Sequence, residues 1–230
     1  MRQCLLWRTF TAALAVAALA GPVRAETATF AVDPEAGNNT FSAVFDAALG
    51  ERIMAVSSSV GCSITADEAK LEGRAQCSVP LTAIQVDSDE TKTEHFQQWA
   101  TNKKIEAKQC TFALDIPNVK LPSLLEEKKP VSFTTEGTFS ICGRKRDDGK
   151  PERIQGTIIR LPAGSLGDGQ AFRIRARIEG FDREQYGISP KNTAGWLARV
   201  QQLANVVATD GTIDVNIFAI SSDGATAKKE

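Results

Sequence analysis

Histidine is almost absent from this sequence, and the common motifs of catalysis and cofactor binding are absent with it. The 230 residues contain one histidine, His95. Ser/His/Asp and Cys/His enzymes need a histidine beside the nucleophile, and no G-x-S-x-G, GxGxxG or Walker-type loop occurs in the chain. No two cysteines are spaced as CxxC, which argues against a zinc ribbon or a redox dithiol. We therefore expect a protein without catalytic activity and without a resident metal or cofactor.

Neither sign of charge dominates, and only one apolar run is present. Lysine and arginine total 27 against 28 acidic residues, so the basic footprint of a nucleic-acid-binding protein is missing. The run over residues 11–23 is too short to span a bilayer core of ~30 Å, basic residues precede it, and small residues stand at its end. This pattern predicts a signal peptide over residues 1–25, cleaved before Glu26, and a periplasmic or secreted protein. Cleavage would remove three arginines and leave a formal charge of -4.

Four cysteines remain after the predicted cleavage, an even number in a compartment that oxidises thiols. Cys62 and Cys77 flank a turn over residues 66–73 in phase with their apolar neighbours, so both thiols face the same side. Cys110 and Cys142 flank the next hairpin, but Cys142 is out of phase with the apolar positions before it. A β-bulge or a strand end is therefore needed near Cys142. We favour the structural pairs Cys62–Cys77 and Cys110–Cys142, although four cysteines allow three pairings.

Short segments with a two-residue alternation recur over residues 29–221 and predict an antiparallel all-β domain. The clearest is residues 172–178, where every second residue is apolar and the residues between them are arginines. The segments amount to roughly eight strands in a single domain over residues 26–230. Strands of this number pack as a sandwich or close into a barrel wide enough for side chains or one small ligand.

Two segments depart from the alternation and predict helices. Residues 93–104 carry Phe96, Trp99 and Ala100 at helical spacing and predict a short helix. Residues 193–207 predict a helix of about four turns with one apolar stripe. The stripe consists of Trp196, Val200, Leu203 and Val207.

Several short motifs follow one another along the chain. They are Val86-Asp87-Ser88-Asp89, Glu94-His95-Phe96, Cys110-Thr111-Phe112, Glu136-Gly137-Thr138-Phe139-Ser140-Ile141, the strand over residues 172–181, Phe181-x-Arg183 with Tyr186-Gly187-Ile188, and a final strand over residues 212–220. In this order and spacing they resemble the YceI-like family of periplasmic polyisoprenoid-binding and lipid-binding proteins, over nearly the whole mature chain. The cysteines, an enlarged turn over residues 143–152, and Ala107-Lys108 in place of an aromatic-proline pair indicate a divergent member.

The resemblance implies a lipocalin-like antiparallel barrel that holds an isoprenoid tail or another long-chain amphiphile in an apolar tunnel, as a carrier without catalysis. The wall of the tunnel is then expected to comprise Phe41, Phe45, Phe112, Leu114, Phe133, Phe139, Phe172, Ile174, Ile178, Val215 and Ile217. His95 and Arg183 match polar positions of the family and are expected at the mouth, where Arg183 could neutralise a phosphate or carboxylate. The expected partner is an amphiphilic lipid, and a membrane protein is a further candidate as its donor or acceptor.

Other interpretations of the same residues stay open. The barrel could be packed solid, and the protein could be a disulfide-stapled interaction module that uses the predicted Trp196 helix or the charged loop over residues 143–151. The phenylalanine-rich faces could also serve a dimer. A third hypothesis is an enzyme or a metal site in which His95 acts with nearby carboxylates such as Asp87 and Glu94.

Overall fold

The computed structural model of the protein describes residues 27–47, 50–102, 104–189 and 207–222. The predicted signal peptide lies outside these ranges, as does the predicted helix over residues 193–207 apart from its last residue, Val207. No helix within the described ranges is long and apolar enough to cross a membrane.

Twelve β-strands and one α-helix make up most of the described chain. They are β1 Thr27–Val32, β2 Thr40–Ala47, β3 Arg52–Ser57, β4 Gly61–Asp67, β5 Glu72–Pro80, β6 Gln85–Val86, α1 Glu90–Thr101, β7 Thr111–Lys120, β8 Pro130–Ile141, β9 Arg144–Lys145, β10 Glu152–Arg160, β11 Ala171–Asp182 and β12 Val207–Ser221. Short 3-10 helices occupy Leu81–Ala83, Ala107–Gln109 and Arg183–Tyr186.

Eight of the strands close into a ring, which confirms the predicted all-β antiparallel barrel. The order around the ring is β1-β4-β5-β7-β8-β10-β11-β12, and β12 returns to β1 through the residue pairs Phe30–Ser221 and Ala31–Ile220. The strands β2, β3 and β6 continue from the first part of β12 as an extension of the sheet, and β9 pairs with the end of β8. Closure matters because it removes the free edges that a sheet would otherwise expose.

Successive residues of each strand point alternately into the barrel and out of it. In β11, Phe172 and Ile178 are buried, whereas Arg175 and Arg177 are exposed. The Arg177 Nε donates to Asp214 Oδ1 of the neighbouring β12 at 2.7 Å. The apolar rows predicted from the sequence therefore form the interior, and the rows of arginines lie on the outer surface.

An aromatic cluster closes the end of the barrel at which β7 begins and β8 finishes. The ring of Phe96 on α1 lies 5.9 Å from that of Phe112, and Phe112 lies 6.1 Å from Phe139. Phe139 contacts Phe181 at 5.2 Å, and Phe181 stacks on Tyr186 at 4.9 Å. These rings seal the end against solvent, and α1 covers it from outside.

The helix α1 confirms the predicted short helix but begins before the predicted start. Asp89 provides the N-cap, where its carboxylate accepts a hydrogen bond from the Lys92 backbone N–H at 2.9 Å. The helix ends at Thr101, and Asn102 adopts a left-handed conformation with φ of 51°. The periodicity of the apolar residues thus located the helix, and the capping aspartate sets its first turn.

Both predicted disulfides are present. Cys62 and Cys77 lie directly opposite each other on β4 and β5. Cys110 precedes β7, and Cys142 follows β8 with a positive φ of 51°. The backbone N–H of Cys142 donates to the carbonyl of Thr111 at 3.0 Å. The strand end therefore resolves the phase conflict at Cys142, because the chain leaves the strand geometry there.

We predict that the two disulfides stabilise the folded protein by different amounts. In the chain-entropy model, replacing both cysteines of the pair Cys62–Cys77, which are 15 residues apart, lowers the free energy of unfolding by about 3 kcal/mol. The same change at Cys110–Cys142, 32 residues apart, costs about 4 kcal/mol because a longer loop is released. Urea unfolding of the two double alanine variants measures both values. Losses below about 1 kcal/mol would show that the bridges do not constrain the unfolded chain.

Candidate functional site

The interior of the barrel contains an apolar cavity that opens at the end opposite α1. About 160 Å³ of it is open to the centres of water-sized molecules, which at roughly 30 Å³ per water-sized group leaves room for about five or more such groups. Ten of the eleven residues predicted for the tunnel wall line it. These are Phe41, Phe112, Leu114, Phe133, Phe139, Phe172, Ile174, Ile178, Val215 and Ile217.

Phe45 is the exception among the predicted wall residues, and the prediction for it is wrong. It lies on β2 opposite Gly211 of β12. A Cβ atom on Gly211 would be only 2.6 Å from Phe45 Cδ1, so the ring occupies the space that a larger residue would need. Phe45 is buried, but it fills a gap between two strands and does not border the cavity.

Gly156 lets a large aromatic residue lie close to the wall. It stands opposite Phe133 on the neighbouring strand, and a Cβ atom at Gly156 would come within 2.5 Å of Phe133 Cζ and of the Arg175 carbonyl oxygen. Since glycine has no side chain, the Phe133 ring packs against the backbone of β10. This arrangement keeps the ring at the wall and leaves room in the lumen.

The mouth of the cavity is formed by the β4–β5 turn, by the loop over residues 121–129 and by the end of β10. Leucines of the loop and the turn, Leu71, Leu121, Leu124 and Leu125, border the cavity, and Leu124 is 66% exposed. The charged residues that border the cavity are also found here, at the turn and at the end of β10. They are Asp67, Glu68, Glu72, Arg74 and Arg160.

Arg183 does not lie at this mouth, so the prediction for its position is wrong. Its residue is 5% exposed, and it follows β11 at the closed end. Its Nη1 donates to the Ile188 carbonyl at 2.7 Å, its Nη2 to Val207 at 3.0 Å and its Nε to Ala208 at 3.0 Å. Burial lowers the pKa of this guanidinium. Arg183 therefore ties the turn after β11 to the start of β12.

His95 is also misplaced by the sequence prediction, because it lies on α1 at the closed end and does not border the cavity. Its neighbouring carboxylates have structural partners. Asp87 accepts hydrogen bonds from the Met54 N–H at 2.9 Å and from Lys92 Nζ at 2.7 Å. Among the described residues, no group of three or more histidine, cysteine, aspartate or glutamate side chains is arranged to hold a metal ion.

The charged loop over residues 143–151 forms part of a polar network at the closed end. Buried Glu152 accepts from the Tyr186 hydroxyl at 2.6 Å and from Arg146 Nη1 at 3.0 Å. Arg146 Nε also donates to Asp148 Oδ1 at 2.7 Å. Burial and the hydrogen bond to Glu152 raise the pKa of Tyr186 well above its usual range, so the phenol stays a donor. Arg146, Asp148 and Lys150 of this loop are thus paired within the protein.

Sequence reasoning missed Arg160 and Glu68 as residues of the site, although the alternation carried a signal for both. In β10, Arg160 is in phase with the inward residues Ile154 and Ile158. Glu68 comes two residues after Ala66 and continues the inward row of β4 past the strand end. A charged residue in phase with an apolar row is thus the pattern that marks this mouth.

Comparison with known proteins gives a likeness in fold. No protein-family model and no curated protein matches the chain. Among solved structures, it is similar to one described as a polyisoprenoid binding domain from Saccharophagus degradans implicated in plant cell wall breakdown. The match covers 85% of this chain and 99% of that chain, with a TM-score of 0.57 and 12% sequence identity. The likeness confirms the antiparallel β-barrel fold predicted from the sequence.

We predict that Arg183 contributes to stability and not to ligand contact. Arg183→Met leaves the carbonyls of Ile188, Val207 and Ala208 without their charged donor and should lower the free energy of unfolding by about 3 kcal/mol. Urea unfolding measures this loss, with Arg153→Met on the outer face of β10 as the matched control. A variant with unchanged stability would contradict the structural role.

Proposed function

We propose that this protein binds a long-chain amphiphile, such as an isoprenoid lipid, inside its barrel and does not convert it chemically. The observation that carries the proposal is the apolar cavity, which is sealed by aromatic rings at one end and bordered by leucines and charged residues at the other. The likeness to a domain described as polyisoprenoid binding supports it.

The size and chemistry of the cavity suit a hydrocarbon chain. Transfer of one methylene from water to an apolar site contributes about 0.8 kcal/mol, so ten methylenes contribute about 8 kcal/mol before the costs of ordering the chain and of association. A tail segment of about five or more carbon atoms, or roughly one isoprene unit or more, fits the space available in this conformation. A longer tail would need side chains along the wall to rotate, or would extend through the mouth.

The alternative of a packed interaction module has less support from the described residues. Its premise is a filled interior, whereas the barrel retains open space bordered by its apolar rows. The charged loop over residues 143–151, which that hypothesis uses as a contact surface, has Arg146 and Asp148 paired with each other and Arg146 also paired with Glu152.

We further propose that the protein is exported to the periplasm and acts there as a carrier. Basic residues before a short apolar run support export, and two disulfides suit an oxidising compartment. A carrier needs a donor and an acceptor for its lipid, and a membrane protein is a candidate for either role.

We predict that a larger side chain inside the cavity weakens the binding of lipids. Ala176 borders the cavity, and Ala176→Phe should weaken binding of farnesol and of octadecanoic acid at least tenfold because the ring takes the space of the tail. Displacement of a fluorescent apolar probe measures the affinities, and native mass spectrometry of protein from the periplasm detects any lipid that is bound on purification.

Arg175→Phe is the matched control for this experiment, because it places the same ring on the neighbouring, outward-facing position. It should bind both ligands like the wild type. If Ala176→Phe unfolds at the wild-type temperature and still binds normally, the cavity is not the binding site.

If the protein is exported, the mature form should begin at the residue that follows the predicted cleavage site. Protein expressed with its natural leader and recovered from the periplasm should begin at Glu26 and should lack the mass of residues 1–25. Intact-mass measurement and amino-terminal sequencing check this. Retention of residues 1–25 in the recovered protein would overturn the export proposal and leave lipid binding unaffected.

A further inference from the structure

One charged side chain is built into the border of the apolar cavity. Arg160 ends β10 in phase with inward-facing Ile158, and its side chain is 27% exposed. Its guanidinium carbon lies 5.5 Å from the centre of the Phe172 ring, in the position of a cation–π contact. The Phe172 ring and the end of β10 therefore hold the positive charge of Arg160 at the mouth of the cavity.

The hydrogen bonds of Arg160 are incomplete. Its Nη2 donates to Glu68 Oε1 at 2.7 Å. Its Nε is buried and has no hydrogen-bond acceptor among the residues that the structure describes. A buried donor without an acceptor costs about 1 to 3 kcal/mol, and more for a charged group, so an acceptor supplied by a ligand would be favoured at this position.

Oxyanions match this arrangement of donors. The Nε–H and one Nη–H of a guanidinium form a planar fork that donates hydrogen bonds to two oxygen atoms of one carboxylate or phosphate. Glu68 already neutralises Arg160 from one side, but its side chain is 42% exposed and lies in the turn after β4. A carboxylate in such a position can turn to solvent at little cost when another anion takes its place.

The other charges of the mouth have partners or face outward. Lys70 pairs with Asp67 at 2.7 Å, and Lys120 pairs with Glu72 at 3.0 Å. Arg74 is exposed and belongs to the outward-facing row of β5. Among these cations of the mouth, Arg160 thus has a side chain that faces inward and a buried Nε–H that donates to no acceptor in the described chain.

We propose that Arg160 binds the anionic head group, a phosphate monoester or a carboxylate, of the lipid whose tail lies in the cavity. The inference rests on the proposed function and adds the chemical class of the ligand to it. The tail lies toward Phe112 and Phe139 at the closed end, and the head group replaces Glu68 as the partner of the guanidinium.

Pairs of ligands that share a tail test this inference. Wild-type protein should bind farnesyl monophosphate at least tenfold more tightly than farnesol, and octadecanoic acid at least tenfold more tightly than octadecan-1-ol, in the probe-displacement assay. Arg160→Gln should reduce each ratio to about twofold or less, because it removes the charge that distinguishes each anion from its alcohol. Arg153→Gln, on the outward-facing row of the same strand, should keep the wild-type ratios.

Two further variants keep the test decisive if Arg160→Gln does not fold. Arg160→Lys retains the charge without the planar fork and should give ratios between those of the wild type and of the glutamine variant. Glu68→Gln removes the competing carboxylate and should raise both ratios of anion affinity to alcohol affinity. Unchanged ratios in these two variants would overturn the role of Arg160.

The remaining outcomes separate the head-group inference from the proposed function. Equal binding of each anion and its alcohol by the wild type would overturn the inference and leave lipid binding intact. Displacement of farnesyl monophosphate by inorganic phosphate at comparable concentration would point to a free anion and also overturn it. Failure of all four long-chain ligands to bind would overturn both the inference and the proposed function.

Discussion

The structure depends on the closure of one sheet whose residues alternate between two environments. Every second residue of eight strands points to a common interior, and the ring is completed by a short contact between β1 and β12. The ring of Phe30 at this contact lies 4.9 Å from that of Phe172 on β11, which also flanks β12, and both rings are buried. The side chain of Asn39, buried beside β2, accepts from the Phe218 N–H at 2.9 Å and fixes β12 where it passes between its neighbours. Breaking the contact between β1 and β12 would expose the apolar inner face of the barrel to water.

Closure alone does not determine whether the interior is filled. The large aromatic residues are concentrated at one end, where Phe112, Phe139 and Phe181 contact one another. Further toward the mouth, Gly156 allows Phe133 to lie against the wall. The disulfide between Cys62 and Cys77 joins adjacent strands and does not cross the lumen. Because the large side chains are concentrated at one end, the barrel is closed at that end and contains an open cavity toward the mouth.

The two-residue alternation allowed the strands and their inward-facing residues to be predicted. The closed barrel was implied by the resemblance to the YceI-like family, and the disulfide pairs were predicted from the cysteines that flank each hairpin. The phase of Ile174 or Val215 decides on which side of the sheet it lies, whatever its partner strand is. The positions of His95 and Arg183 could not be obtained this way, since each lies outside a regular strand. Arg183 begins a short 3-10 turn that directs its guanidinium inward to three carbonyls. Which strands neighbour β12 is likewise a long-range property, so the extension formed by β2 and β3 was not predictable.

The two ends of β10 each carry an inward-facing charged residue, one at the closed end of the barrel and one at the mouth. Glu152 and Arg160 begin and end this strand, in phase with Ile154 and Ile158. Glu152 is buried and receives hydrogen bonds from Tyr186 and Arg146, so its charge is compensated within the protein. Arg160 has a partly exposed carboxylate as its one ion-pair partner in the described chain and retains an unused donor. An incompletely compensated charge attracts a counter-ion, which is why the anionic head group that we propose is placed at the Arg160 end of β10 and not at the Glu152 end.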